Sequence, residues 1–558
     1  MNTQYLDLME KSLSAYSVQH VDDYFARVQQ EGLTEHGFAR LTANIGILIS
    51  YGRRGDLLER FLQMMDFCSK EMPRVKAAND FTVKEIIFCI QALEAAGNVV
   101  APERLDQWRL EFSRIEPDTC YTCIARTPED KVYNWAAFTC VSEWMRFVSG
   151  IAPADMDFID TQIASQLQWL DENGMYQDPG NPVVYDLVPR GLFVLLLHFG
   201  YQGKYRDAMD ECLRKAGLQT LKMQSSTGEI AYGGRSNQFL HNEAHLAIVL
   251  EYEARRYAGC GDWAMAGLCK RRVQMALDSI AGYLEKQPIR HVKNRFPTEG
   301  GYGCETYAYF DKYMITNASF LYAAALVCDD SIPAGGSDSM NLYTLQTADT
   351  FHKVFLRNRG WFAELDTCAD PHYDASGLGR IHRRGAPSAL CLSVPCPAEP
   401  GYSIGDVEAM ALAIAPGLMQ EGRWHFAAEK DVQNTVITHG IDKDTVYVVM
   451  ESRWPDGRRT EMNCRMKSDR LEIFVTAGEK VALLIPAFAF DGECCPEQSF
   501  TEHGLQVRYQ GWVCSYTSPE NMRDLQKKAY NRNGHYRAFA VEGDHSLSCK
   551  ITIMPEKA

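Results

Sequence analysis

The chain has 558 residues, 57 Lys and Arg against 72 Asp and Glu, and a formal net charge of −15. That balance excludes nucleic acid or an anionic membrane surface as a general partner. It leaves room for an acidic sugar held by a local basic cluster. With 46% hydrophobic and 23% charged residues, the chain can bury a large core. Length alone implies three or four domains, unless a repetitive helical assembly forms one large unit.

The N-terminal stretch, residues 1–25, reads as an amphipathic helix without the basic and apolar blocks of a signal peptide. No apolar run reaches the length of a membrane span, so the expected location is the cytoplasm. Eighteen cysteines fit that location as reduced thiols. Cys120 and Cys123 have CxxC spacing, but no second pair stands at zinc-ribbon distance, so no metal site is expected there.

Apolar residues at three-and-four spacing predict helices over Leu6–Val28, His36–Tyr51, Asp56–Cys68, Phe81–Ala96 and Leu105–Ile115. The pattern continues through Trp135–Val148, Phe158–Leu170, Tyr185–Phe199, Tyr205–Ala216, Phe239–Tyr257, Ala264–Glu285, Tyr307–Val327 and Leu342–Phe355. Short polar breaks with Gly or Pro separate them. About a dozen helices so joined can close into an (α/α)6-type toroid; an open solenoid would need a fixed-period repeat, which is lacking. From about residue 357 the pattern turns to alternation: Thr445–Glu451, Leu471–Ala477, Val481–Phe490, Leu505–Thr517, Tyr536–Glu542 and Leu547–Met554. The expected organisation is a helical toroid over 1–356 and an antiparallel β-sandwich over 357–558. An irregular stretch, Trp361–Glu408, with His372, His382 and Arg383, is placed at the seam.

Two polar stretches interrupt the helical pattern. Gly228–His245, GEIAYGGRSNQFLHNEAH, reads as a Gly-rich turn followed by a helix start at Ser236 and Asn237. Asn294–Tyr313, NRFPTEGGYGCETYAYFDKY, repeats the arrangement. A purely structural helix needs neither cluster, and together they imply one cleft. His241 and His245 stand at i, i+4, but Glu243 is one position away from the HExxH arrangement, so no metal is assigned. His245 is read as a packed histidine.

Toroid followed by sandwich resembles the heparinase II/III-like polysaccharide lyases and related glycoside hydrolases. Within that group, YGGRSNQFLHNEAH and GYGCETYAYFDKYM are most similar to the gut bacterial exo-β-glucuronidases of glycoside hydrolase family 154. That resemblance implies a terminal β-linked glucuronic acid in an oligosaccharide or glycoconjugate as substrate and no required cofactor; oligomeric state is left open, with a homo-oligomer associating through the sandwich as one outcome.

Residue roles follow from chemistry. A glycosidase needs two carboxyl groups at the scissile bond; Glu243 and Glu305 are the expected pair, with Glu229, Glu299, Asp186 and Asp311 in reserve. Arg235 is expected to grip the uronate carboxylate, with Arg295 and Arg190 as alternatives. Asn237, Gln238 and Asn242 can bind sugar hydroxyls, and Tyr232, Tyr302, Tyr307 and Trp135 can stack on sugar faces. The same groups support β-elimination by a lyase, in which Asn or Arg neutralises the carboxylate and His or Tyr moves the protons. Asn237 or Asn242, His241, Tyr302 or Tyr307, and His382 from the sandwich would fill those roles. Hydrolysis is the preferred expectation, because elimination gives Glu243 and Glu305 no task. A non-catalytic carbohydrate-binding protein remains the third reading.

Overall fold

The computed structural model describes residues 3–180, 182–335 and 340–556. Fourteen α-helices precede seventeen strands among these residues, and every strand pairing is antiparallel. Six helices form a closed inner ring, each packed on the next: Gly37–Ser50, Val83–Ala96, Trp135–Val148, Val184–His198, His241–Gly259 and Phe310–Val327, which returns to the first. These helices are apolar nearly all round, as buried helices must be; Phe310–Val327 buries thirteen of its residues, Met314 to Val327 almost without a break. The helices between them in sequence pack outside, notably Trp263–Leu284 against His241–Gly259. No helix among the described residues is long and apolar enough to cross a membrane.

The strands form sheets of four, eight and five. The larger two enclose one apolar core that includes Ile473, Val475, Leu483, Ile485 and Phe539. The strands Leu471–Ala477 and Val481–Phe490 have the bounds their alternation predicts. Leu505–Thr517 is two strands instead of one, because Gln510 and Gly511 both take positive φ and turn the chain.

Two expectations fail at the seam. The helix expected over Leu342–Phe355 is absent; strands Leu342–Gln346 and Lys353–Asn358 occupy it. Leu342–Gln346 alternates exposed and buried residues, and His352 sits at φ 57°, which breaks any helix there. The stretch from Trp361 is likewise regular at first: Trp361–Asp366 and Gly377–Arg383 complete the four-stranded sheet. Lys353–Asn358 and Trp361–Asp366 are buried along their whole lengths, so they lack the one-sided alternation that marks a strand in sequence.

This small sheet holds the Gly228–His245 stretch. Arg380 donates to the Ile230 carbonyl (2.7 Å), Asp374 accepts from the Gly234 amide (2.9 Å), and His382 lies 3.1 Å from Ser225 Oγ and 3.0 Å from Thr227 Oγ1. The stretch does not become helical at Ser236. Ser236 and Gln238 stand at φ 57° and 64°, and the helix begins only at His241. Gly234 lies at φ +69°, and a Cβ there would come within 2.6 Å of Pro182, so the turn requires glycine on both counts. The second stretch behaves alike: its helix begins at Phe310 and leaves Glu305 and Tyr307 in the preceding turn.

Candidate active site

The N-terminal ends of the six inner helices converge on a cavity of about 280 Å³. His36, Phe81, Trp135, Tyr185, His241 and Lys312 each line it from the start of a different inner helix or the residues just before one. Helix N-termini carry partial positive charge, and Arg40, Arg235 and Lys312 add three cationic side chains to the lining. No Asp or Glu lines this cavity among the described residues. The wall is therefore built for an anion.

Arg235 is fixed from behind. It pairs with the fully buried Asp178, donates to the Pro179 carbonyl (2.6 Å), and lies over the Tyr185 ring at 4.4 Å. Asp178 also accepts from Asn134 Nδ2 at 2.7 Å, so one carboxylate orients both the guanidinium and the neighbouring amide. Burial raises the Asp178 pKa, while Arg235 opposes that rise. The Tyr185 hydroxyl lies 3.2 Å from Ser236 Oγ, which lies 3.1 Å from the Tyr307 hydroxyl. This gives a hydroxyl chain beside Arg235. Burial pushes the Tyr307 phenol well above its ordinary range, so it holds its proton.

The floor carries His36, His241 and His245, each nearly inaccessible and each with an Nδ1 that has no protein partner. Burial, then nearby positive charge, lowers the His241 pKa to about 3, and the same causes push His36 and His245 down. All three imidazoles are neutral at neutral pH. Arg40 is spent on Glu85, at 2.8 and 2.9 Å, and on Thr316 Oγ1. Lys312 faces the same space, and burial lowers its pKa.

Of the residues singled out in the sequence, Arg235, His241, Tyr307 and Trp135 line this cavity. Others lie around it in supporting positions. Asn237 Nδ2 donates to the Gly234 carbonyl (2.6 Å), Asn242 Nδ2 to the Ser236 carbonyl (3.2 Å), and Gln238 Oε1 accepts from Asn533 (3.1 Å) and Ser393 (3.2 Å). Tyr232 is buried under the Lys353 ammonium, 3.4 Å from its ring centroid. Tyr302 stacks on Phe296 and donates to the Asn531 carbonyl (3.0 Å). Arg190 is buried against Asp186 (2.9 Å), Arg295 pairs with Glu493 and lines a different cavity, and His382 is buried against Ser225.

The two carboxylates expected to act as a pair are committed to internal partners. Glu243 is fully buried; it accepts from Lys293 Nζ (2.8 Å) and the Ile230 amide (3.1 Å). Lys293 also faces Glu229 at 3.4 Å; burial works against that carboxylate's charge, but Lys293, His382 and Arg380 outweigh it and hold the pKa at about 2. Glu305 accepts from the Ser236 amide (2.7 Å) and forms a two-point pair with Arg532 of the sandwich, at 2.9 and 2.5 Å. Among the reserves, Glu229 and Glu299 line other cavities, and Asp311 meets Tyr16 (3.1 Å).

Sequence reasoning missed Asn134, Asp178 and Lys312. Asn134 sits at the break before an apolar run, and Asp178 lies in the polar break that begins at Asp171. Either break can be read as an ordinary loop, and only ring closure brings both to Arg235.

No family model matches the chain, and no curated protein matches it. Among solved structures, the chondroitin AC lyase of Streptomyces coelicolor A3, in complex with chondroitin sulphate, is 12% identical over 100% of this chain and 83% of its own, with a TM-score of 0.48. Heparinase III is 9% identical over 94% and 86%, with a TM-score of 0.39. A mutant of the heparan sulfate lyase HepC of Pedobacter heparinus is 10% identical over 90% and 76%, with a TM-score of 0.34. None of the three is a glucuronidase, and at TM-scores below 0.5 these likenesses carry no argument about activity.

Proposed function

We propose that the chain is a uronate-specific oligosaccharide lyase acting by β-elimination. The observation that carries this reading is the composition of the cavity wall: Arg, Asn, His and Tyr, with no carboxyl group among the described residues. A glycosidase of the two-carboxylate type needs both acids at the scissile bond, whereas Glu243 and Glu305 are held in internal ion pairs. Elimination needs the groups that are present, and the preference for hydrolysis drawn from the sequence gives way to it.

In this reading Arg235 grips the uronate carboxylate in a two-point contact, and Asn134 binds beside it. Drawing off carboxylate charge acidifies the C5 proton, which is where charge develops in the transition state. Neutral His241 accepts that proton. The C5 electron pair forms the C4–C5 double bond as the C4–O bond breaks, and the leaving oxygen takes a proton from Tyr307. The Ser236 and Tyr185 hydroxyls then relay a proton from solvent to Tyr307, and His241 returns the C5 proton to solvent. Trp135 provides an apolar face for the ring.

The test is turnover of uronide oligosaccharides by wild type, His241→Gln and Tyr307→Phe. Formation of a 4,5-unsaturated uronate, absorbing in the ultraviolet, is expected in wild type and reduced at least about a hundredfold in each variant, the ordinary scale of acid–base catalysis. Full activity in both variants would refute the assignment.

A further inference from the structure

A second cavity, of about 580 Å³, opens on the other side of the Glu305–Tyr309 turn. Tyr307 belongs to the first cavity, while Glu305, Thr306 and Tyr309 line the second. Tyr307 and Tyr309 are 38% and 43% exposed, so this turn reaches the surface.

The walls of the two cavities differ in kind. No Lys or Arg lines the second among the described residues; its charged lining residues are Glu299 and Glu305. Arg532 stands behind Glu305 and neutralises it, and Arg290 turns its two Nη groups to the carbonyls of Phe296, Pro297 and Tyr302. Two buried side chains of the wall have an unpartnered polar atom: Tyr402 Oη, in a residue 5% exposed, and His291 Nδ1, in a residue 2% exposed. His291 Nε2 lies 2.8 Å from the Ala308 carbonyl and must therefore carry the ring proton. Nδ1 is left as an acceptor. Burial and the Arg290 charge lower this imidazole's pKa to about 3, so Nδ1 stays unprotonated.

We propose that this second cavity is a sugar subsite that takes an uncharged, hydroxyl-bearing residue next to the uronate and excludes a sulfated one. The proposal builds on the lyase reading of the first cavity. A sugar hydroxyl donates to His291 Nδ1 and accepts from Tyr402, satisfying two buried groups that otherwise lack partners. A sulfate ester has acceptors only. It would set its oxygens against the His291 lone pair and the Glu299 carboxylate, with no Lys or Arg among the described lining residues to offset the repulsion. Tyr309 supplies an exposed aromatic face at the entrance.

Two measurements test the subsite. The first is turnover of a matched pair of oligosaccharides in which the sugar beside the uronate is N-acetylated in both and carries an O-sulfate in only one. The unsulfated member should have the higher kcat/KM by at least about tenfold, and Glu299→Lys, at an exposed position, should narrow the gap. The second is direct binding of the methyl glycoside of an N-acetylhexosamine, followed by ligand-observed NMR. Tyr402→Phe should weaken it about three- to tenfold, the value of one neutral hydrogen bond. Equal turnover of the pair, or binding unchanged in Tyr402→Phe, would overturn the proposal. If no uronide is cleaved while the glycoside binds as stated, the lyase reading fails and the subsite stands.

Discussion

Arg532 ties the sandwich, through Glu305 and Ser236, to Tyr307 in the wall of the toroid's cavity. It is fully buried, pairs with Glu305 at 2.9 and 2.5 Å, donates to the Gly303 carbonyl (2.6 Å) and lies 4.0 Å from the Tyr402 ring centroid. Glu305 in turn holds the Ser236 amide, and Ser236 bridges Tyr185 and Tyr307. Arg532→Met keeps much of the volume but strands a buried carboxylate, at a cost of about 3–5 kcal/mol. Glu305→Gln strands the guanidinium and should cost a similar amount. The double variant leaves neither charge unpaired, so it should be less destabilised than the sum of the two by about 2–3 kcal/mol. Denaturant unfolding of the four proteins measures this coupling, and turnover of the same set should fall with it. Additive single effects, or Arg532→Met with unchanged stability and turnover, would refute the chain of contacts from Arg532 to Tyr307.

Arg235→Lys preserves the charge but replaces a fork with a point donor; KM for a uronide should rise at least about tenfold, and an unchanged KM would remove Arg235 from carboxylate binding. Burial raises the pKa of Asp374, which holds the Gly234 amide, to about 7 despite the Lys353 ammonium nearby. The folded chain therefore keeps a proton that the unfolded chain releases near pH 4. Stability from this group is full below that pH, falls as pH rises toward about 7, and is lost above it. Asp374→Asn should flatten the unfolding-versus-pH curve between pH 4 and 7; an unchanged slope would show that another group sets it. Asp178→Ala should lower turnover and also raise the KM of the uronide, since it releases both Asn134 and Arg235, and an unchanged KM would deny Asp178 its positioning role.

The inner ring is legible because its helices are long and strongly periodic, and strands such as Val481–Phe490 because β-branched and aromatic residues run between clear turns. Lys353–Asn358 and Trp361–Asp366 escape notice because both faces are buried and no alternation remains. Arg235 and Tyr307 stand out because Gly-rich turns carry polar clusters that packing does not require. Their partners do not stand out. Asn134, Asp178 and Lys312 come from separate stretches that only ring closure unites, and nothing local distinguishes Glu305, held by Arg532, from a carboxylate open to substrate. The carboxylates thus drew the sequence reading toward hydrolysis, and it is their ion pairs in the folded chain that weigh against it.

The most direct test of the central claim is product analysis after incubation with a uronide oligosaccharide, reading ultraviolet absorbance and free saturated uronic acid together. β-Elimination at the Arg235 cavity predicts an absorbing 4,5-unsaturated uronate, lost in Tyr307→Phe, with no saturated uronic acid released. Release of saturated uronic acid without absorbance would contradict it and return the catalytic role to a pair of carboxylates.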